Sequence, residues 1–239
     1  MSTFLLTAAM VFFAAQSFAQ QGTKKNTRPS DGGQTQIEPS KPALPQVYFY
    51  KFEKKEFLVS NVSISHDEEG KGEIHFRHRG SEEVLTRPIK LSQATLELLK
   101  SKWTELDFLA SDISYQSERE YPHLGTMSLS MKRDGKERTA TFNWTDNESV
   151  KVLTDEYKKI GYEETWKFDI EIARQNQPLE SPKIMRTLDS YIRRNQISDP
   201  DHLVPFLKEL GDDERLPLIA RNHALRLLTK IEKDREKKQ

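Results

Sequence analysis

The stretch GTMSLSMKRDGKERTATFNW, residues 125–144, decides the fold because it encodes two strands that face each other across a tight turn. Asp134-Gly135 is typical of a two-residue hairpin turn, since a type I′ turn requires positive φ angles at both central positions. Folding about this turn sorts apolar side chains onto one face and Ser, Thr, Asn and Lys onto the other. The predicted opposing pairs are Met131 with Arg138, Leu129 with Ala140, Met127 with Phe142, and Gly125 with Trp144. A slip of one residue would reverse this sorting, so the register is well specified.

A second hairpin is predicted around the turn Glu68-Glu69-Gly70, which joins strands over residues 57–65 and 72–79. In a three-residue loop the glycine takes the left-handed conformation, and the resulting register sets apolar positions opposite each other. The predicted opposing pairs are Ile64 with Ile74, Val62 with Phe76, and Ser60 with His78.

Two more strands complete the predicted sheet. Residues 47–52, VYFYKF, are rich in the aromatic and β-branched types that favour strands. Residues 83–89 are predicted as an edge strand because Pro88 cannot donate a ladder hydrogen bond.

A first helix is predicted from the N-cap Ser92 to about Leu109. Its apolar stripe recurs at helical spacing and consists of Leu96, Leu99, Trp103 and Leu106. This stripe is the expected partner of the sheet face formed by Met127, Leu129, Phe142 and Trp144.

A second helix is predicted from Asp146 or Asn147 to about Asn176. Residues 166–172, WKFDIEI, alternate strictly and also fit a strand. One continuous helix is favoured because no turn signal follows Gly161 and Pro178 provides the stop. Its first apolar stripe is Val150, Leu153, Tyr157 and Ile160, whereas Trp166, Ile170 and Ala173 point to a different partner.

The remaining sequence predicts three helices. Ser181-Pro182 and Asp199-Pro200 each read as an N-cap followed by proline at the first helical position. Gly211 is predicted to end the second of these helices, and residues 217–231 form the last. The fold class is therefore α+β: an antiparallel sheet of hairpins packed by helices over residues 47–176, followed by a small helical module over residues 177–239.

The first residues predict export. Residues 1–19 resemble a secretory signal peptide, with an apolar run from Phe4 to Ala15 and small residues at Ser17 and Ala19. Residues 20–46 are rich in Gln, Gly, Ser and Pro, which is typical of a disordered linker. We expect a periplasmic or extracellular protein with no transmembrane segment after cleavage, and the absence of cysteine excludes disulfides.

Composition and motifs give no catalytic signature. Lys plus Arg and Asp plus Glu balance at 37 each, so nucleic-acid binding lacks its usual electrostatic basis. The nucleophile-elbow, phosphate-loop, dinucleotide and zinc-protease motifs are missing. His75 and His78 would point to opposite faces of a strand, which disfavours a shared metal site. We expect no cofactor and no metal.

Residues 203–231, LVPFLKELGDDERLPLIARNHALRLLTKI, resemble a single HEAT-type helical hairpin. One helix carries Leu203, Phe206, Leu207 and Leu210, and an acidic turn follows at Asp212-Asp213. The second helix carries Ile219-Ala220-Arg221, then Ala224 and Leu227-Leu228. The resemblance implies a helix pair that serves protein–protein contacts, although repeat stacks normally need three or more units. The hairpins around a helix in the N-terminal part also resemble domains of secreted bacterial proteins.

The candidate binding site lies in the long segment 111–124, SDISYQSEREYPHL, because long loops often carry function. It combines aromatic, basic, acidic and imidazole groups, namely Tyr115, Arg119, Glu120, Tyr121 and His123. These side chains suit a contact patch, and His123 with Glu120 would suit acid–base chemistry. The alternative is that the loop is pinned to the core and its polar groups face water.

Three function hypotheses follow from this sequence. The leading one is a non-catalytic exported protein that contacts an unidentified envelope protein. The second is a hydrolase or metal-dependent enzyme with a site near His123. The third is a small-ligand-binding module with its site between the sheet and the long helix. The oligomeric state stays open.

Overall fold

The computed structural model describes residues 46–237 and confirms the α+β fold class. Six strands form one antiparallel sheet in the order β4-β3-β2-β1-β5-β6. The strands are β1 (Val47–Glu53), β2 (Val59–Asp67), β3 (Lys71–His78), β4 (Leu85–Lys90), β5 (Thr126–Arg133) and β6 (Lys136–Phe142). The predicted signal peptide and nearly all of the predicted linker lie outside the described residues.

The predicted registers are confirmed wherever both strands are regular. Met127 lies opposite Phe142 and Leu129 opposite Ala140, while Ile64 lies opposite Ile74. Gly70 has a φ angle of +74°, as the three-residue loop requires. Pro88 lies on the edge strand β4.

Two predicted pairs are wrong, each at the end of a ladder. A β-bulge between Val59 and Asn61 places Val59 opposite His78, so Ser60 has no partner in the register. The β5–β6 ladder ends at Met127 and Phe142, and Trp144 lies beyond it with an exposed ring. Trp144 therefore does not belong to the buried sheet face.

Two helices cover the apolar face of the sheet. Helix α1 (Gln93–Glu105) begins after the predicted N-cap Ser92, whose hydroxyl accepts a hydrogen bond from the Thr95 amide at 3.2 Å. It ends four residues before the predicted Leu109. Helix α2 (Glu148–Asn176) is continuous, which confirms the helical interpretation of residues 166–172.

Helix α2 contributes to two separate hydrophobic clusters, as its displaced apolar stripes predict. Val150, Leu153, Tyr157 and Ile160 belong to the first cluster, together with the sheet and α1. Trp166 and Ile170 belong to the second cluster, together with the helices that follow. The division into domains at residue 177 stays a prediction.

Three helices complete the second cluster: α3 (Ser181–Arg193), α4 (Val204–Asp212) and α5 (Leu218–Glu236). Ser181 is not an N-cap, because it lies inside the helix and donates its hydroxyl to the Pro178 carbonyl. Gly211 does not end α4 either. It lies within the helix where a Cβ would come 2.5 Å from Leu225, so it allows close packing of α4 on α5. Within residues 46–237, no helix has the length and apolarity needed to cross a bilayer.

Candidate functional site: a cleft between the sheet and helix α2

The structure separates the five residues predicted as a binding site. Tyr115 is buried, whereas Arg119, Glu120 and His123 are exposed and Tyr121 is half-buried. Tyr121 packs edge-on against His123, with ring centroids 5.9 Å apart, and against Trp144. The loop thus divides into a buried anchor at Tyr115 and a surface segment over residues 119–123.

Tyr115 has a structural role in the loop. Its ring stacks near Phe108 at 6.0 Å, and the Arg138 guanidinium lies 5.1 Å from its ring centroid. Arg138 also donates hydrogen bonds to the carbonyls of Phe108 and Ile113. These contacts fix the first half of the loop to strand β6.

A cleft of about 1010 Å³ lies between the sheet and helix α2. Its floor comes from three strands and carries Tyr50, Phe52, Val59, Val62 and Met127. Its wall is one face of α2, and Tyr191 of α3 also reaches it. A cavity of this size and apolar lining is typical of a small-molecule site.

The mouth of the cleft is rimmed by large apolar side chains that water can reach. Phe57, Leu58, Trp144 and Tyr162 all line the cleft, and their exposed fractions run from 38% to 72%. Scattered exposed apolar residues are ordinary, but a group around one concavity indicates an interaction site. Trp144 and Leu124 connect this rim to the end of the predicted loop site.

The wall of the cleft follows from the spacing of residues on α2. Thr154, Lys158, Gly161 and Thr165 recur at helical intervals and lie beside the stripe that packs on the sheet. The Thr154 hydroxyl donates to the Val150 carbonyl and the Thr165 hydroxyl to the Gly161 carbonyl. Both hydroxyls are therefore satisfied within the helix, which leaves the methyl groups as the free part of these side chains.

The charged residues along the cleft are paired with one exception. Lys159 contacts Asp155 at 3.1 Å and Glu156 at 2.7 Å, and Lys151 contacts Glu148 at 2.7 Å. Lys158 has no ion pair within residues 46–237. Its burial lowers the pKa of the ammonium group, and the neighbouring Asp155 opposes that shift.

The inner end of the cleft is built by two stacked tyrosines. The rings of Tyr50 and Tyr157 lie 5.1 Å apart with their planes only 4° from parallel. Burial raises the pKa of both phenols, so both remain protonated donors. Their hydroxyls differ, because the Tyr50 hydroxyl is buried without a hydrogen-bond partner among the described residues.

The Tyr157 hydroxyl joins three elements in one hydrogen-bonded chain. Nδ1 of His66 lies 2.8 Å from the Asp67 carbonyl, which can only accept, so the proton is on Nδ1. Nε2 of His66 then accepts from the Tyr157 hydroxyl at 2.9 Å. The Tyr157 oxygen in turn accepts from the Trp103 indole at 3.2 Å. Every polar group of this buried chain is satisfied.

The geometry favours noncovalent binding at this site. The cleft offers aromatic and aliphatic surface, one unpaired ammonium group, and the threonine hydroxyls of α2, which are already bonded to the main chain. No histidine lines it. Within residues 46–237, no cluster of three or more His, Asp or Glu side chains could hold a metal ion.

Sequence reasoning missed the residues of the cleft, although it named the space between sheet and long helix as a possible ligand site. Two features of the sequence could have indicated the cleft. Phe57 and Leu58 are apolar residues at the start of a predicted strand, and neither belongs to a predicted cross-strand pair. Gly161 lies in the middle of a long helix, where glycine costs about 1 kcal/mol relative to alanine.

The two stacked tyrosines predict unequal effects on stability when each loses its hydroxyl. We expect Tyr157→Phe to lower the free energy of unfolding by about 1–3 kcal/mol, since it leaves the Trp103 indole and His66 Nε2 unpaired in the core. Tyr50→Phe is the matched control and should cost nothing, because its hydroxyl has no partner among the described residues. Urea unfolding of both variants measures this, and equal losses would contradict the assignment.

The buried histidine predicts a loss of stability in acid. Burial lowers the pKa of His66, while the Asp67 carbonyl and carboxylate raise it and Lys100 lowers it. A histidine with a lowered folded-state pKa binds its proton more readily in the unfolded chain. Its contribution is therefore lost as the pH falls below about 6.5.

The measurement is the free energy of unfolding of wild type and His66→Gln between about pH 7 and about pH 5. We expect the wild type to lose more stability on acidification than the variant, which has no titrating group there. The hydrogen bond with Glu163 raises the pKa of His202, so protonation of His202 favours the folded state in acid. This contribution is the same in both proteins and cancels when their stabilities are compared. Parallel pH profiles would show that His66 is not buried in neutral form.

Comparison with known proteins assigns the chain to no family. No family model matches the sequence, and no curated protein matches it. The resemblance of residues 203–231 to a HEAT unit therefore depends on those residues alone and stays a prediction.

Proposed function

We propose that this chain is a non-catalytic binding protein that takes an apolar small molecule into the cleft between the sheet and α2. The observation that carries the proposal is the combination of a cavity of about 1010 Å³ with four exposed apolar side chains around its mouth. Burying such surface against a ligand is favourable by about 25 cal/mol for each Å² removed from water.

The polar groups of the cleft support binding without chemistry. Glu156 accepts from Ser198 and pairs with Lys159, and the two threonines bond to the helix backbone. Groups held in this way are poor candidates for a nucleophile or a general base, which must be free to take a proton from a substrate. Export to the periplasm or the extracellular space remains part of the proposal.

Gly161 gives a way to block the cleft without disturbing its walls. A Cβ there would lie 3.7 Å from Val62, an ordinary contact, so Gly161→Ala should preserve binding and stabilise α2 by about 0.5–1 kcal/mol. Gly161→Leu should fill the space beside Val62 and lower binding of an apolar ligand at least about tenfold, or about 1.4 kcal/mol.

The test is titration of the three proteins with N-phenylnaphthylamine, an uncharged fluorophore that brightens in apolar sites. We expect saturable binding to wild type and Gly161→Ala, and weak binding to Gly161→Leu at the same helical content. Equal binding by all three proteins would place the fluorophore elsewhere. The absence of saturable binding to the wild type would refute the proposed function.

Protein–protein contact through the C-terminal helices is a second candidate function. Leu218 and Ile219 begin helix α5 and are both more than three-fifths exposed. Two adjacent exposed apolar residues on a helix end favour a contact with another protein.

We expect the double substitution Leu218→Ser and Ile219→Ser to abolish capture of an envelope partner by the tagged mature protein. Because both side chains face water, the variant should keep the wild-type midpoint of urea unfolding. Arg226→Ser, on an exposed position of the same helix, is the control. Capture that survives the double substitution would exclude this end of α5 as the contact.

A further inference from the structure

We propose that the ligand of the cleft is an amphiphile with an apolar body and a single anionic head group, and that Lys158 pairs with that head group. This inference depends on the proposed function of the cleft. It adds the charge and the chemical class of the ligand, which the apolar lining alone does not give.

The pairing of the charged side chains at the cleft carries the argument. Five charged side chains line it: Lys151, Asp155, Glu156, Lys158 and Lys159. The two carboxylates are both held by Lys159, at 3.1 and 2.7 Å, and Glu156 also accepts from Ser198. Lys151 is held at 2.7 Å by Glu148, which does not line the cleft. Within the described chain, Lys158 is therefore the one charged side chain of the cleft that makes no ion pair.

The position of Lys158 makes that charge useful for recognition. Lys158 lies on the α2 stripe between Thr154 and Gly161 and lines the cleft. Its side chain is only partly exposed, so water solvates the ammonium group incompletely. An anion that pairs with a partly desolvated ammonium group gains more than it would in open water, because the local dielectric is lower.

A cation is the poorer occupant by the same reasoning. Asp155 is the cleft carboxylate more open to solvent, with a side-chain exposure of 63%, and it already pairs with Lys159. A positively charged ligand would have to displace Lys159 from Asp155 and would face Lys158 as well. Like charges that meet in a partly buried site are costly.

The size and lining of the cleft define the rest of the ligand. The floor and rim supply the rings of Tyr50, Phe52, Phe57, Trp144 and Tyr162 together with valine and leucine side chains. Such a surface has few positions for polar groups beyond the head. A chain-like or flat apolar molecule with one carboxylate is therefore the class that fits.

The experiment uses three ligands of the same chain length: decanoate, decanol and decylammonium. Isothermal titration of the mature wild-type protein should show decanoate binding about tenfold or more tightly than decanol, which corresponds to about 1.4 kcal/mol. Decylammonium should bind more weakly than decanol. Lys158→Met should bind decanoate and decanol with equal affinity and leave the affinity for decanol unchanged.

Two further variants keep the test decisive. Lys158→Glu should reverse the order, so that decylammonium binds more tightly than decanoate. Lys136→Met is the matched control, since Lys136 is exposed beside the β5–β6 turn, at the opposite end of the sheet from the cleft. It should keep the wild-type preference.

The outcomes separate the two proposals. Equal binding of decanoate and decanol to the wild type, or tighter binding of decylammonium, overturns the anionic ligand and leaves the apolar cleft intact. A preference for decanoate that survives Lys158→Met assigns the anion site to another residue and overturns the role of Lys158. Failure of all three ligands to bind refutes the proposed function as well.

Discussion

The hydroxyl group of Tyr157 is the contact on which the arrangement of this protein depends. It donates to His66 on β2 and accepts from Trp103 on α1, so one oxygen atom joins the sheet and both covering helices. Hydrogen bonds in a dry core are strong and directional, and each group left without its partner would be costly. The position and rotation of α2 are therefore fixed at this point, and the stripe that it turns toward the cleft is fixed with it.

A second set of polar contacts holds the other half of α2. Arg87 on the edge strand β4 binds Glu171 through two nitrogens, and Lys167 lies between Glu163 and Glu164. His202, which precedes α4, lies 3.0 Å from Glu163. Because these charges are largely buried and mutually paired, they specify how the C-terminal helices meet α2 more than they add stability. The cleft lies along the same helix and includes Tyr191 of α3, so both hydrophobic clusters contribute to its walls.

The sequence was sufficient for the strands and for most of the helices, because hairpin register follows from alternation and turn chemistry. The Asp134-Gly135 turn and the Gly70 loop determined four of the six strands. The errors lie where local patterns do not decide: the bulge at Ser60, the exposed Trp144, and Gly211, which serves helix packing instead of ending a helix. The lining residues of the cleft escaped prediction because they come from segments far apart in the chain, from Tyr50 to Tyr191. Lys158 could not be distinguished from its neighbours without knowing which carboxylate each lysine contacts.

The two edge strands of the sheet, β4 and β6, carry different residues that serve the same purpose. Strand β4 carries Pro88 between Arg87 and Lys90, and strand β6 begins with Lys136 and Glu137, both in water. Proline and charged side chains on an outer strand prevent another chain from extending the sheet by main-chain pairing. These residues therefore disfavour strand addition at both edges of the sheet. The apolar mouth of the cleft is therefore exposed in a protein whose sheet edges are unfavourable for fibril formation.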